Sequence, residues 1–582
     1  MLRTQPEMRH QHCSLEQVGP EPSTSARSRN ETIVLSLVIG VLVGLVTVAF
    51  ILLTGRLGAR MYPAGGAAWR RLLMPVLGSL ATGFLLSKYF PNARGSGIPQ
   101  TKFALFINNG YISLRTVIGK FLCCSVSLAS GIALGREGPS VQIGAGIASV
   151  MGRRFKLSTE EVKSLVPVGC SAALAAAFNT PIAAVLFSLE EIMGDMNAPV
   201  LGTVVIASAT SWMVLHLVLG DQPLFHVPSY QLVNPAEFGI YAVLGVLGGL
   251  GSVCFVKLLL AIRKWFKTFP KATEWVQPVA GGLFVGLIGW FVPEILGVGY
   301  DFVDTVLGGD FPVKTVAMLA VLKIIATPAC YGSGNAGGIF GPSLFIGAMI
   351  GGSVGWVAHT LFPHVTANPG AYALVGMGTA FAGIVRTPMT SVIMIFEMTR
   401  DYSIIVPLMI SNLISFMISQ WLQPEPIYEA LALQEGVYLP TGESRDELAG
   451  IRVGQVMQIG QEPLPVETIV RDADQALAKM GRNAWPVGDS KRLHGLITLR
   501  EIEEASQWQQ LGELISQDSP FPYVHPDHPL SLALERMGAH AIDTVPVVSR
   551  ADIRQPYGVV TLSDVLAAFG VGKELGKDGP AR

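Results

Sequence analysis

The chain has 582 residues, of which 50% are hydrophobic and 14% charged, with a mean hydropathy of +0.46 and a net charge of −1. Soluble chains carry about 25% charged residues, so this composition calls for a bilayer, and the near-neutral balance removes any electrostatic case for binding nucleic acid. Charge is also unevenly spread, with 36 Asp, Glu, Lys and Arg in the 154 residues from Glu429 onward against 47 in the 428 before it.

Residues 1–31 are polar and lack the short apolar core and small-residue cleavage site of a signal peptide, which predicts a cytosolic tail. Crossing a bilayer takes about 20 apolar residues in a helix. Stretches 32–55, 164–189, 196–220, 238–256, 275–293 and 403–424 contain no Asp, Glu, Lys or Arg, and 324–385 stays uncharged for 62 residues, enough for more than one crossing. Residues 32–428 are therefore expected to form a transmembrane domain. Many of its apolar stretches are cut by Gly or Pro, as at Pro75, Pro139, Pro181, Pro342 and Pro388. Irregular backbone at membrane depth is tolerated only where protein or a water-filled cavity surrounds it, so broken helices facing an internal pathway are expected. The six cysteines have no metal-ligand spacing and read as small hydrophobes; no metal site is expected.

An internal repeat runs through the apolar part. The eight residues from Gly138 match those from Gly341 at six positions, and the 24 residues from Val168 match those from Val375 at eight. Transporter halves built on such a common plan place the ion site at their interface, at the ends of interrupted helices. After Tyr428 the pattern changes to short β-branched strands alternating with helices. Trp485-Pro486-Val487 with the segment 495–501 resembles Val545-Pro546-Val547 with 558–564. Each unit reads strand, helix, strand, strand, helix, and together they look like a tandem of CBS domains at 451–508 and 509–571, after a linker at 429–450 and before a tail at 572–582.

Moving an anion through lipid requires positive potential at depth without a trap. Helix N-termini offer this, each with about half a positive charge and several unpaired N–H groups. Three Gly-rich breaks could supply such termini, namely Gly95-Ser96-Gly97-Ile98-Pro99, Gly135-Arg136-Glu137-Gly138-Pro139 and Gly338-Ile339-Phe340-Gly341-Pro342. In each, Pro stands near the first helical position, where its missing N–H does no harm.

These three motifs, in this order, resemble the selectivity signatures of the CLC family of chloride channels and chloride/proton antiporters. The likeness covers nearly the whole chain from about Thr32, with the CBS pair similar to that of many members. The resemblance implies an all-α polytopic membrane domain of two inverted halves with an α/β CBS tandem. It also implies a homodimer with one anion pathway per subunit, chloride and protons as the transported species, and no required cofactor. It makes Ser96 a chloride-binding hydroxyl, Ile339 and Phe340 donors of main-chain N–H groups, and Tyr428 the phenol that completes the central site. Glu137 resembles the gating glutamate, which as a carboxylate occupies an anion site and on protonation swings away. Glu191 resembles the inner proton-transfer glutamate of the antiporters, where the family's channels usually carry an apolar residue. Glu190 aligns with Glu397 across the repeat, which points to a structural role in both halves.

Ser96 favours chloride, since nitrate-selective plant relatives carry Pro there. Glu137 and Glu191 occurring together in a pathway without a fixed cation make proton-coupled antiport the expectation, the alternative being a passive voltage- or pH-gated channel in which Glu137 is only a gate. No metal-spaced histidine cluster or serine nucleophile elbow supports an enzyme. Thr561 and Asp564 fit the CBS ribose-binding pattern and are the candidate contacts for an adenine nucleotide; Glu501 stands at the equivalent of Asp564 in the first repeat. A prokaryotic inner membrane, with the CBS pair in the cytoplasm, is the expected location.

Overall fold

Proline decides where several membrane helices begin. Pro181, Pro278, Pro369 and Pro388 each open a helix, at the position where a missing N–H is not needed. The computed structural model describes residues 26–437 except 64, 197–199, 222, 226, 228–232 and 310, and residues 451–568 except 516–520 and 541. The expected tail at 572–582, all but the end of the tail at 1–31 and most of the linker at 429–450 lie outside the described residues. Two compact units divide the chain, Met1–Leu439 and Pro440–Arg582.

In the first unit, α1 (Ala26–Met61), α2 (Ala68–Lys88), α3 (Ile98–Phe106), α4 (Leu114–Ala129), α5 (Glu137–Arg154), α6 (Thr159–Phe178), α7 (Pro181–Phe187) and α8 (Leu201–Leu219) form one series. A second series follows: α9 (Glu237–Phe266), α10 (Pro278–Phe291), α11 (Tyr300–Leu307), α12 (Val313–Gly332), α13 (Phe340–Leu361), α14 (Pro369–Val385), α15 (Pro388–Thr399) and α16 (Ile405–Leu422), with α17 (Ile427–Leu433) after it. The second series repeats the first in order and in packing partner. Helix α5 packs on α6 as α13 packs on α14, α1 on α8 as α9 on α16, and α2 meets its counterpart α10. Seven helices among the described residues are long and apolar enough to cross a membrane. The outward side chains suit lipid, as the 81% exposure of Leu217 and 83% of Trp421 illustrate, since water would penalise so much apolar surface.

The repeat is structural as well as sequential. Gly135 and Gly338 exchange two antiparallel main-chain hydrogen bonds of 2.7 Å each, joining the halves head to head as inversion requires. The paired glutamates Glu190 and Glu397 cap each other's half. Glu190 accepts from the amides of Met389 (3.2 Å) and Thr390 (2.8 Å) at the start of α15, and Glu397 from those of Ile182 (2.9 Å) and Ala183 (2.7 Å) at the start of α7. Each carboxylate satisfies amides that have no partner within their own helix.

Close helix crossings in the two halves also correspond. A Cβ on Gly144 would lie 2.3 Å from Gly169 O, and one on Gly347 2.1 Å from Gly376 O. Small residues let helices approach this closely in lipid, where dispersion rather than hydrophobic force holds them. Gly347→Ala is therefore expected to push α13 and α14 apart and to cost about 1–3 kcal/mol, read as a lower melting temperature of the detergent-purified protein; an unchanged melting temperature would contradict the tight crossing.

The second unit contains β1 (Gln458–Ile459), β2 (Ala484–Gly488), β3 (Leu493–Thr498), β4 (Thr544–Val548) and β5 (Pro556–Thr561), with helices between and after them. Strands β2 and β3 pair with each other, while β1 joins β5 and β4 in the order β1-β5-β4. The strand that opens the first repeat thus completes the sheet of the second. Strand β5 has an edge that β4 leaves unpaired, and β1 satisfies its N–H and C=O groups.

Candidate functional site

The three Gly-rich turns meet in space. Gly95 and Gly97 hold φ of +87° and +109°, which a residue with a Cβ rarely adopts, and Gln100 Oε1 accepts from Gly97 N at 2.9 Å at the start of α3. A Cβ on Gly97 would lie 2.3 Å from Gly138 O, one on Gly138 2.6 Å from Ser96 O, and one on Gly338 3.1 Å from Gly138 N. Bare backbone is what lets these turns touch. It brings the N-termini of α5 and α13 against the loop before α3, so partial positive charge accumulates at that point.

Around this meeting point lie the residues singled out from sequence. Ser96 and Tyr428 are fully buried, the Tyr428 phenol makes no hydrogen bond, and the Ser96 Oγ faces the Tyr331 phenol. Leaving a buried hydroxyl unpaired is costly, and the Ser96 and Tyr428 hydroxyls are both able to donate to an anion. Ile339 and Phe340 are buried at the start of α13. The Phe340 ring is locked among Phe178, Phe187 and Phe381, with centroids 4.7, 5.6 and 4.3 Å away, which fixes the helix terminus rigidly. The Tyr428 phenol is within electrostatic reach of both Glu137 and Glu191.

Glu137 is fully buried. Its Oε1 accepts from the Tyr300 phenol at 2.5 Å and lies 3.8 Å from Arg136 Nε, while its Oε2 makes no hydrogen bond. A Cβ on Gly135 would come within 2.6 Å of that Oε2 and one on Gly341 within 3.0 Å. The carboxylate therefore rests against the first turn of α13, and glycine at both positions is what makes room for it.

Glu191, in a π-helical turn at Ser188–Met193 that continues α7, does not stand alone. Lys102 donates to Glu191 Oε1 at 2.9 Å and also to Glu429 Oε1, while Glu429 Oε2 is without a partner. All three side chains are buried, giving a cluster of two carboxylates and one ammonium. The expected freedom from fixed cations is corrected here: Lys102, Lys120 and Lys323 are all buried. The ammonium groups of the other two serve main-chain carbonyls. Lys120 donates to Ala93 O (3.1 Å) and Gly95 O (2.6 Å), and Lys323 to Ile295 O (3.0 Å) and Gly297 O (2.8 Å). Sequence reasoning missed Lys102, Glu429 and Tyr300. A lone Lys in the apolar run after Pro99 is a signal, because ionisable residues inside membrane segments default to function.

A cavity of about 860 Å³ leads to Gly95 and Tyr331 and is lined by Arg94, Arg263, Lys267 and Lys271 against Glu274 and Glu435. Its basic excess favours anions at the approach to the first motif.

In the second unit, Asp564 receives Thr561 N at 2.9 Å and Thr561 Oγ1 at 2.7 Å, and Gln458 Nε2 binds both its oxygens at 2.9 and 3.1 Å. Glu501 receives Thr498 N and Oγ1 in the same way. Both pairs are helix caps. Gln458 already engages both Asp564 oxygens, so a nucleotide ribose using the candidate pair Thr561 and Asp564 would have to displace that amide.

Comparison with known proteins agrees with this architecture. The family described as "Voltage gated chloride channel" matches residues 78–420, and "CBS domain" matches 511–570. A curated relative, the H(+)/Cl(-) exchange transporter ClcA of Vibrio campbellii, is 33% identical over 60% of this chain and 76% of its own length. A slow cyanobacterial Cl-/H+ antiporter of known structure superposes with a TM-score of 0.64 at 26% identity, over 69% of this chain and 97% of that one. A eukaryotic CLC transporter does so with a TM-score of 0.66 at 20% identity, over 92% and 98%. The chain thus belongs to the voltage gated chloride channel, or CLC, family, as a multi-pass integral membrane protein with a C-terminal CBS region.

Proposed function

We propose that the protein exchanges chloride for protons through a pathway gated by Glu137, with Glu191 as a second proton-carrying carboxylate. One observation carries most of the weight: the Glu137 Oε2 is buried, unpaired and set against the first turn of α13. A carboxylate at a positive helix end takes the place that suits a halide, so the two exclude each other. A proton on Glu137 removes the charge that held it there. Opening and protonation become one event, and a gradient of either ion drives the other.

At the central site of the same pathway, chloride would be held by the Ser96 and Tyr428 hydroxyls and the main-chain amides at Ile339 and Phe340. Partial charges bind it without trapping it. The exchange activity of the Vibrio relative and of the cyanobacterial antiporter supports antiport over passive conduction. The same family reading carries a homodimer with one pathway per subunit, in a prokaryotic inner membrane, with the CBS region regulating transport from the cytoplasm. The test is transport by the purified protein in liposomes, with pH and chloride electrodes on the same vesicles. A chloride gradient should move protons uphill, and Glu191→Gln should abolish that movement while sparing chloride flux. Chloride flux without proton movement in the parent protein would make it a passive channel.

A further inference from the structure

Tyr300 has no place in the proposal above, yet it supplies the hydrogen bond that Glu137 makes. It opens α11 after the turn Gly297-Val298-Gly299, whose glycines have φ of +62° and +88°. That turn corresponds to Gly95-Ser96-Gly97 in the other half, and the two are braced alike. Lys323 binds the carbonyls of Ile295 and Gly297 as Lys120 binds those of Ala93 and Gly95. Gly297 N also donates to Gly131 O at 2.9 Å. One turn presents the Ser96 hydroxyl, and the other delivers a phenol.

The phenol is held with little freedom. Phe225 packs edge-on against the Tyr300 ring at 5.4 Å, and the Arg136 guanidinium lies 5.5 Å over it. A Cβ on Gly341 would approach the Tyr300 oxygen to 2.9 Å and Glu137 Oε2 to 3.0 Å, so phenol and carboxylate share one glycine-floored niche. The titratable and charged groups facing Glu137 are Tyr300 from α11, Arg136 from the turn before α5 and, at longer range, Tyr428 from α17.

We propose that Tyr300 is the latch of the Glu137 gate: its hydroxyl holds the charged carboxylate against α13 and thereby sets how readily protonation opens the pathway. Tyr300 is a positioning residue and transfers no proton itself. This inference rests on the gating role proposed for Glu137. A hydrogen bond to the charged form favours that form, so removing it shifts the balance toward the protonated, open state. The ring of Tyr300→Phe fills the same volume without the donor.

Proteoliposomes carrying Tyr300→Phe should pass chloride roughly tenfold faster at neutral pH, the size expected of one hydrogen bond to a charged group. The acid activation of flux should move to higher pH. In Glu137→Gln, adding Tyr300→Phe should change nothing further, because the latch then has no carboxylate to hold. A merely structural tyrosine would lower flux in both backgrounds and leave the pH profile in place. An unchanged pH profile in Tyr300→Phe, with Glu137→Gln still uncoupled, overturns the latch and leaves the gate standing. Coupled, acid-dependent transport in Glu137→Gln overturns the gate itself.

Discussion

Glu137→Gln is expected to abolish chloride-driven proton movement while chloride still crosses, at a rate that no longer depends on pH. The amide matches the carboxyl in size, so the contacts with Gly135 and Gly341 that give the side chain its room are kept. What is lost is the ability to carry a charge and to exchange it for a proton. Without the charge, nothing holds the side chain at the α13 terminus in preference to a halide. Without the proton, the linked flux has no carrier. Proton transfer by a positioned side chain contributes about 10²–10⁴-fold, so coupled proton flux should fall to the leak through protein-free vesicles. Uphill proton pumping by Glu137→Gln at even a tenth of the parent rate, an order-of-magnitude criterion from the same range, would remove Glu137 from the proton route.

The backbone part of this site was legible in the sequence, and much of the side-chain part was not. Three Gly-Pro turns announced three helix starts, and the repeat announced that two of them were equivalent; the mutual hydrogen bonds of Gly135 and Gly338 are that equivalence in space. Glycine is readable because its reasons are local: a φ that other residues avoid, or a backbone approach that a Cβ would block. Tyr300 escaped because the repeat fades where function diverges. Gly297-Val298-Gly299-Tyr300 keeps the glycine spacing of Gly95-Ser96-Gly97-Ile98 but shares no side chain with it, and it is the helix order, the positive φ of the glycines and the bracing by Lys120 and Lys323 that show the two turns to be counterparts.

The Lys102 cluster escaped for another reason: its members lie at 102, 191 and 429, and no periodicity relates residues that far apart. In the CBS region the same limit applies. The motif around Asp564 is readable, but the Gln458 amide that fills it arrives on a strand borrowed from the first repeat.

The second large effect is expected from Lys102→Met, and it is an effect on the fold. Lys102, Glu191 and Glu429 are buried together, so one ammonium neutralises one of two carboxylates and the cluster carries a single negative charge if both are ionised. Methionine fills similar volume without the charge and leaves two carboxylates that both reached for the same nitrogen. Two like charges roughly 5 Å apart repel by about 3 kcal/mol at an effective dielectric of about 20, and breaking a buried pair by removing one partner costs about 3–5 kcal/mol. Lys102→Met should therefore melt well below the parent protein in detergent. Glu429→Gln in the same chain should recover most of the loss, since it removes the second charge and keeps its shape, whereas Glu429→Gln in the parent should have a small effect. A double variant no more stable than Lys102→Met would show that the lysine acts by packing alone, and the three side chains would not be an electrostatic unit. If the rescue is found, the carboxylate proposed to carry protons is tuned by a neighbour 238 positions further along the chain, with one lysine between them to keep both carboxylates in a buried site.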